Sequence, residues 1–185
     1  EGNMGKAIGM LEYLTVSTGV QAADMILKTA KVSIIEAKTV CPGKYIVIFS
    51  GDLSSVNASI EASKKAHAEN LIDSFVLGNP HEDILSAIYG ASEIKNKQAL
   101  GIVETFSAAS IIVAADEAAK TSQVELIEIR IARGMSGKSY LMLTGDVGAV
   151  EAAIKKATEV VGKSGMLLDC CVIANPDKEL WDTIL

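Results

Sequence analysis

The sequence predicts an α+β protein built from two tandem ferredoxin-like units, each a split βαβ. Three observations lead there. The chain repeats itself. Each repeat alternates strand and helix signals in the order β-α-β-β-α-β, closed by a short helix. Aliphatic residues supply the core, since apolar residues make up 49% of the chain and aromatic residues only 4%.

The duplication is read directly. Ala7–Ala30 aligns with Ala99–Ser122 at a shift of 92, with eight of 24 positions identical: Ala7, Gly9, Glu12, Ala22, Ala23, Asp24, Lys28 and Thr29. Gly43–Val56 (GKYIVIFSGDLSSV) fits Gly137–Val150 (GKSYLMLTGDVGAV) at a shift of 94, and Leu71–Pro80 fits Leu167–Pro176 at a shift of 96. The blocks keep their order and the slips fall near loops, as in diverged duplicates. The repeats are expected as domains at 4–93 and 97–185, joined by a short polar linker near Ser92–Lys97.

The elements follow in order. AIGMLEYL, from Ala7, reads as a strand. GVQAADMILKTA reads as a helix, because Val20, Ala23, Leu27 and Ala30 share one face. Asp24 and Lys28 lie four apart on it, as do Asp116 and Lys120 in the second copy. VSIIEAKTV and YIVIFSG are strands flanking a Cys41-Pro42-Gly43 turn. GDLSSV opens a second helix with Asp52 as N-cap, a part given to Asp146 in GDVGAV. LIDSFVLG is a fourth strand, Asn79-Pro80 ends it, and HEDILSAI is the closing helix. One sheet with helices on one face leaves apolar surface for a neighbouring unit to cover.

Composition narrows the class. Mean hydropathy is +0.32 although 22% of residues are charged, which suggests burial between subunits. No apolar run approaches the roughly 18 residues of a membrane helix. The start shows no signal-peptide pattern, and Glu1–Asn3 reads as a cloning remnant before Met4. Three cysteines without framework spacing argue against a secreted disulfide fold and for a cytoplasmic protein. A net charge of −6 with no basic stripe gives no reason to expect a nucleic-acid partner, and no membrane partner is expected either.

Both repeats resemble the bacterial microcompartment shell domain: a G-x-[VM]-E strand, a helix with A-x-D-x-x-x-K, a β pair, and a G-D-V-x-x-V helix start matched by SGDLSSV and TGDVGAV. The resemblance covers nearly the whole chain, twice. It implies a tandem-domain shell protein forming a pseudo-hexameric homotrimer, located in the shell within the bacterial cytoplasm beside other shell proteins. In that family the turn between the second and third strands lines a pore on the symmetry axis. The pore-lining residues implied here are Cys41, Pro42 and Gly43 in the first copy and Met135, Ser136 and Gly137 in the second. The Cys-Pro-Gly-Lys turn is similar to that of the iron–sulfur-carrying tandem shell proteins of propanediol-utilisation microcompartments. The chain departs from the family at Asn79 and Asn175, where many shell domains carry an arginine that packs into the next tile. Arg133, just before the second turn, has no role supplied by the family.

The resemblance gives Cys41 a chemical rationale as cofactor and metal ligand. A trimer repeats it three times about one axis, and a cubane cluster has a three-fold axis of its own. Three thiolates suit three irons of a 4Fe-4S cluster, one per trimer, and thiolate is the ligand such clusters prefer. Pro42 fixes φ and Gly43 permits a close turn, so the sulfur is aimed. Such a cluster offers electron transfer across the shell, with an encapsulated or cytosolic redox protein as partner.

Plainer readings stand beside this. A single cysteine in a turn is ordinarily a small, partly buried residue. Cys170 and Cys171, neighbours on a strand, read as core or interface filler. His67 and His81 read as solvated or capping residues. Lys28 and Lys120 are solvated helix lysines by default and tile-edge residues by resemblance. Lys44 and Lys138 follow the two turns, where they either bias the pore's charge or simply begin strands. At the level of function, a shell tile with an empty pore for metabolite transport and a ferredoxin-like small-molecule-binding regulator remain as alternatives. No nucleophile–His–acid set, HExxH or Walker loop is present to support an enzyme.

Overall fold

The computed structural model describes residues 7–185. The expected cloning remnant and the Met4 start of the first domain lie outside the described residues. The first repeat contains β1 (Ala7–Tyr13), α1 (Val16–Thr29), β2 (Val32–Val40), β3 (Lys44–Gly51), α2 (Leu53–Ala66), β4 (Leu71–Leu77) and α3 (Asp83–Ile88). The second contains β5 (Ala99–Thr105), α4 (Ala108–Thr121), β6 (Val124–Arg130), β7 (Ser139–Gly145), α5 (Val147–Lys163), β8 (Leu167–Ile173) and α6 (Lys178–Ile184). Each repeat forms its own antiparallel four-stranded sheet, ordered β2-β3-β1-β4 and β6-β7-β5-β8. The duplication reaches the irregularities. Register shifts fall between Ile34 and Glu36 in one sheet and between Leu126 and Glu128 in the other.

The compact units do not coincide with the repeats. One takes in the chain up to Pro80 together with Ser107–Ala109 and Ala132–Gly137; the other takes in His81–Phe106, Ser110–Ile131 and Lys138–Leu185. In the first unit, helices α1 and α2 cover one face of the sheet. Ala22 and Ile26 from α1 and Val56 and Ile60 from α2 meet Leu11, Val47 and Phe49 from the strands. Gly9, at the centre of β1, lets α2 lie close: a β-carbon there would stand 2.8 Å from Val56 Cγ1. Gly101 is matched in the second unit, with Ile154 and Leu143 at the same 2.8 Å. The glycine of the G-x-x-E strand is therefore a packing requirement. A smaller cluster in the second unit gathers Leu100, Ile127 and Trp181 of α6, with Ile94, Met142 and Ile184 against it. Helix α3 packs on β6 in this unit.

Three local expectations change. The α1 face marked by Val20 and Leu27 points outward; the buried residues are Thr18, Gly19, Ala22 and Ile26. Thr18, Gly19 and Ala22 on the inner side let the helix sit close to the sheet, with Ile26 as the one large aliphatic among these buried residues, while Val20 and Leu27 are left outside. Asp52 caps α2 as expected, accepting the Ser55 N–H at 2.8 Å. Asp146 makes no side-chain cap on α5 and instead receives the Asn96 amide at 3.2 Å. Cys170 and Cys171 are exposed on β8, which removes the core reading for both.

Candidate functional site

The turn between β2 and β3 is three residues long, Cys41–Gly43, and contains a cis Cys41–Pro42 bond. Gly43 has φ +97°, a region that L side chains rarely enter, and its N–H reaches Val40 O at 3.0 Å. The corresponding connection between β6 and β7 is longer, residues 131–138. It carries four positive-φ residues, Ala132, Gly134, Ser136 and Gly137. The two turns therefore differ in length and path, although the sequence reading treated them as equivalents.

Residues Ala132–Gly137 fold into the same compact unit as the Cys41 turn. The Cys41 N–H donates to Ala132 O at 2.9 Å. Gly137 lies so close that a β-carbon would meet Pro42 Cδ at 3.2 Å and Cys41 O at 3.3 Å. The thiol-bearing turn is thus braced by the backbone of the 132–137 segment. Cys41 is half-buried and borders a shallow cavity of about 350 Å³ with Lys38, Pro42, Ala132 and Arg133. Of the residues expected at the second turn, Met135 is half-buried, Ser136 exposed and Gly137 buried.

Two residues that sequence reasoning left without a role belong to this neighbourhood. Arg133 brings an exposed cationic side chain to the thiol's cavity. Glu12, fully buried on β1, bonds Lys44 Nζ at 2.9 Å and accepts the Ala108 and Ala109 N–H groups at 2.9 and 3.3 Å. Lys44 is therefore charge-matched, which argues against its biasing an opening. Glu12 was visible as an identity between repeats, yet nothing local in the sequence marks its partners.

The remaining candidates are placed as follows. Lys28 pairs with Asp24 and Lys120 with Asp116, and both lysines are exposed. His67 ends α2 and meets the Tyr13 ring edge-on at 6.1 Å, so it is a packed helix-end residue rather than a solvated one. His81 stands before α3, where its Nδ1 accepts the Asp83 N–H at 3.4 Å. Among the described residues, no group of three or more His, Cys, Asp or Glu could hold a metal ion. At this turn the chain offers one thiol, Cys41. Among the described residues, no helix is long and apolar enough to cross a membrane.

The family model described as "BMC domain" matches residues 7–80 and again 99–176. The bacterial microcompartment shell protein PduT of Citrobacter freundii is 40% identical over 178 residues, spanning 96% of this chain and 97% of that protein. The carboxysome shell protein CcmK1 of Thermosynechococcus vestitus is 32% identical over 85 residues, covering 44% of this chain and 75% of its own length. Among solved structures, a microcompartment protein from Desulfitobacterium hafniense superposes with a TM-score of 0.83 at 47% identity, covering 95% of this chain and 98% of that one.

Proposed function

The chain belongs to the BMC domain family as a tandem-domain shell protein of bacterial microcompartments, and we propose that it forms a homotrimeric tile whose central opening is lined by the Cys41 turn. The tile lies in the shell, within the bacterial cytoplasm, among other shell proteins. Its role is structural rather than enzymatic. One Cys41 thiolate from each of three chains would hold an iron–sulfur cluster, 4Fe-4S in type, one per trimer. When bound, the cluster would supply one-electron transfer across the shell to an encapsulated or cytosolic redox protein.

One observation carries this reading: Cys41 gives one thiol per chain at the tip of a hairpin whose backbone is braced by the 132–137 segment, beside a cationic side chain. Pinning limits the motion lost on ligation. Arg133 favours added negative charge, so it raises the potential of any cluster held there.

Protein purified without oxygen tests the cofactor. Iron and sulfide counted per chain, with an electron paramagnetic resonance spectrum, are expected to give one cluster for every three chains. Cys41→Ser abolishes it and leaves the native mass unchanged. Iron-free protein after iron–sulfide reconstitution would leave an empty pore for metabolites. Electron microscopy of concentrated protein tests the tile itself: flat arrays or tubes are expected.

A further inference from the structure

The strand that leaves the Cys41 turn begins with Lys44, whose side chain is only 14% exposed. Its Nζ donates to Glu12 Oε1 at 2.9 Å. Glu12 is fully buried and is itself fixed, because its Oε2 accepts the Ala108 and Ala109 N–H groups at 2.9 and 3.3 Å. Pairing of β1 with β3 sets Glu12 opposite Ile46, so Lys44, two residues away, shares its side of the sheet. Leu11, Val47 and Phe49 meet the helices on the other side. The ammonium also stands against the second turn. A β-carbon at Gly137 would lie 3.2 Å from Lys44 Nζ, 3.2 Å from Pro42 Cδ and 3.3 Å from Cys41 O. One cation therefore touches both an immobile carboxylate and the segment that braces the thiol.

The duplication supplies a comparison. Glu104 and Lys138 stand at the matching places in the second copy. The register agrees, because Glu104 faces Tyr140 across β5 and β7 as Glu12 faces Ile46 across β1 and β3. Yet among the described residues neither Glu104 nor Lys138 makes a hydrogen bond or an ion pair, and Lys138 is exposed. The same two residue types close into a buried pair only in the copy that carries Cys41.

We propose that Lys44 is a positioning residue for the Cys41 site. Held by Glu12 and packed on Gly137, it fixes the exit of the turn. The Cys41 N–H, bonded to Ala132 O at 2.9 Å, fixes the entry. Only Pro42 and Gly43 lie between those two holds, so the sulfur keeps one direction. A buried ion pair adds little net stability over apolar packing, so placement rather than strength is the use of this one. Placement matters here because three sulfurs that share one cluster must all be aimed alike. The charge of Lys44 is matched by Glu12, so it acts on the site through geometry. The proposal rests on the reading of Cys41 as a cluster ligand and adds what aims it.

The test compares full-length wild type with Lys44→Met, Lys44→Arg and the double variant Glu12→Gln with Lys44→Met. The double variant removes the cation without leaving a lone buried carboxylate. Hydrogen–deuterium exchange across the Cys41 turn is read on iron-free protein. Iron and sulfide per chain, with the electron paramagnetic resonance spectrum, are read after reconstitution without oxygen. Lys44→Met and the double variant are expected to speed exchange of the Cys41 and Gly43 amides roughly tenfold or more, with native mass and circular dichroism unchanged. Both are expected to hold less cluster and to give a broader spectrum. Lys44→Arg keeps a donor to Glu12 and is expected to restore slow exchange and cluster content. Exchange and cluster content equal to wild type in Lys44→Met and the double variant overturn the positioning role and leave the cluster reading standing. Loss of native mass or circular dichroism in both also overturns it, because Lys44 then holds the fold and not the turn. Wild type that takes up no cluster, while Lys44→Met still frees the turn, overturns the cluster reading and supports the placement.

Discussion

Gly43 has φ +97° and open space where a β-carbon would stand, so Gly43→Ala strains the backbone without a clash. A loss of about 1–2 kcal/mol is expected in denaturant unfolding. Tyr140 offers a pH reading. Its burial, and then its hydrogen bond to Glu128, push the phenol from 10.0 up to about 12. The folded chain therefore holds this proton more tightly than the unfolded chain does. The stability it contributes is complete below about pH 10 and is lost as pH rises toward 12. Ultraviolet titration of tyrosinate in the native protein is expected to show a late step that Tyr140→Phe removes. At this scale the sequence was readable where chemistry is local. Cys41, Pro42 and Gly43 announce a tight turn with a thiol. Arg133 and Glu12 were opaque because their surroundings come from residues far away in sequence.

Helix α1 shows how periodicity finds an element and mistakes its orientation. Val20, Ala23, Leu27 and Ala30 do lie on one stripe, and the helix is where they imply. Gly19 and Ala22 have little hydrophobic weight, so pattern reading favoured the larger side chains. Close approach to the sheet favours the smaller ones at positions 18, 19 and 22, and Ile26 fills the room left beyond them. Helix caps show the same limit. GDLSSV and GDVGAV look alike, yet Asp52 binds Ser54 and Ser55 while Asp146 turns to Asn96. Those bonds hold the Asp52 carboxyl below its ordinary range. Their stabilisation is present above that range and is lost as pH falls through it. Asp52→Ala is expected to lower the melting temperature at neutral pH by weakening the α2 cap, and to do so less in acid. Asp146→Ala removes no cap bond from α5 and is expected to leave helix content in circular dichroism unchanged.

For the whole molecule, the duplication was the most legible feature, because each repeat keeps its own sheet and its own register slip. The exchange of short segments between compact units was not, since residues 107–109 and 132–137 carry no signal of where they settle. Open strand β8 supplies a readout of assembly. Partial desolvation of the Cys171 thiol, followed by the nearby Asp169 carboxylate, pushes it up, so its alkylation at neutral pH is expected to be slow. Mass-spectrometric labelling is expected to modify Cys170 and Cys171 in dilute single chains and to spare both in assembled tiles. The isolated chain thus leaves two thiols and the Val20 and Leu27 side chains in contact with water, an apolar surface whose solvation cost is relieved only when something apolar covers it.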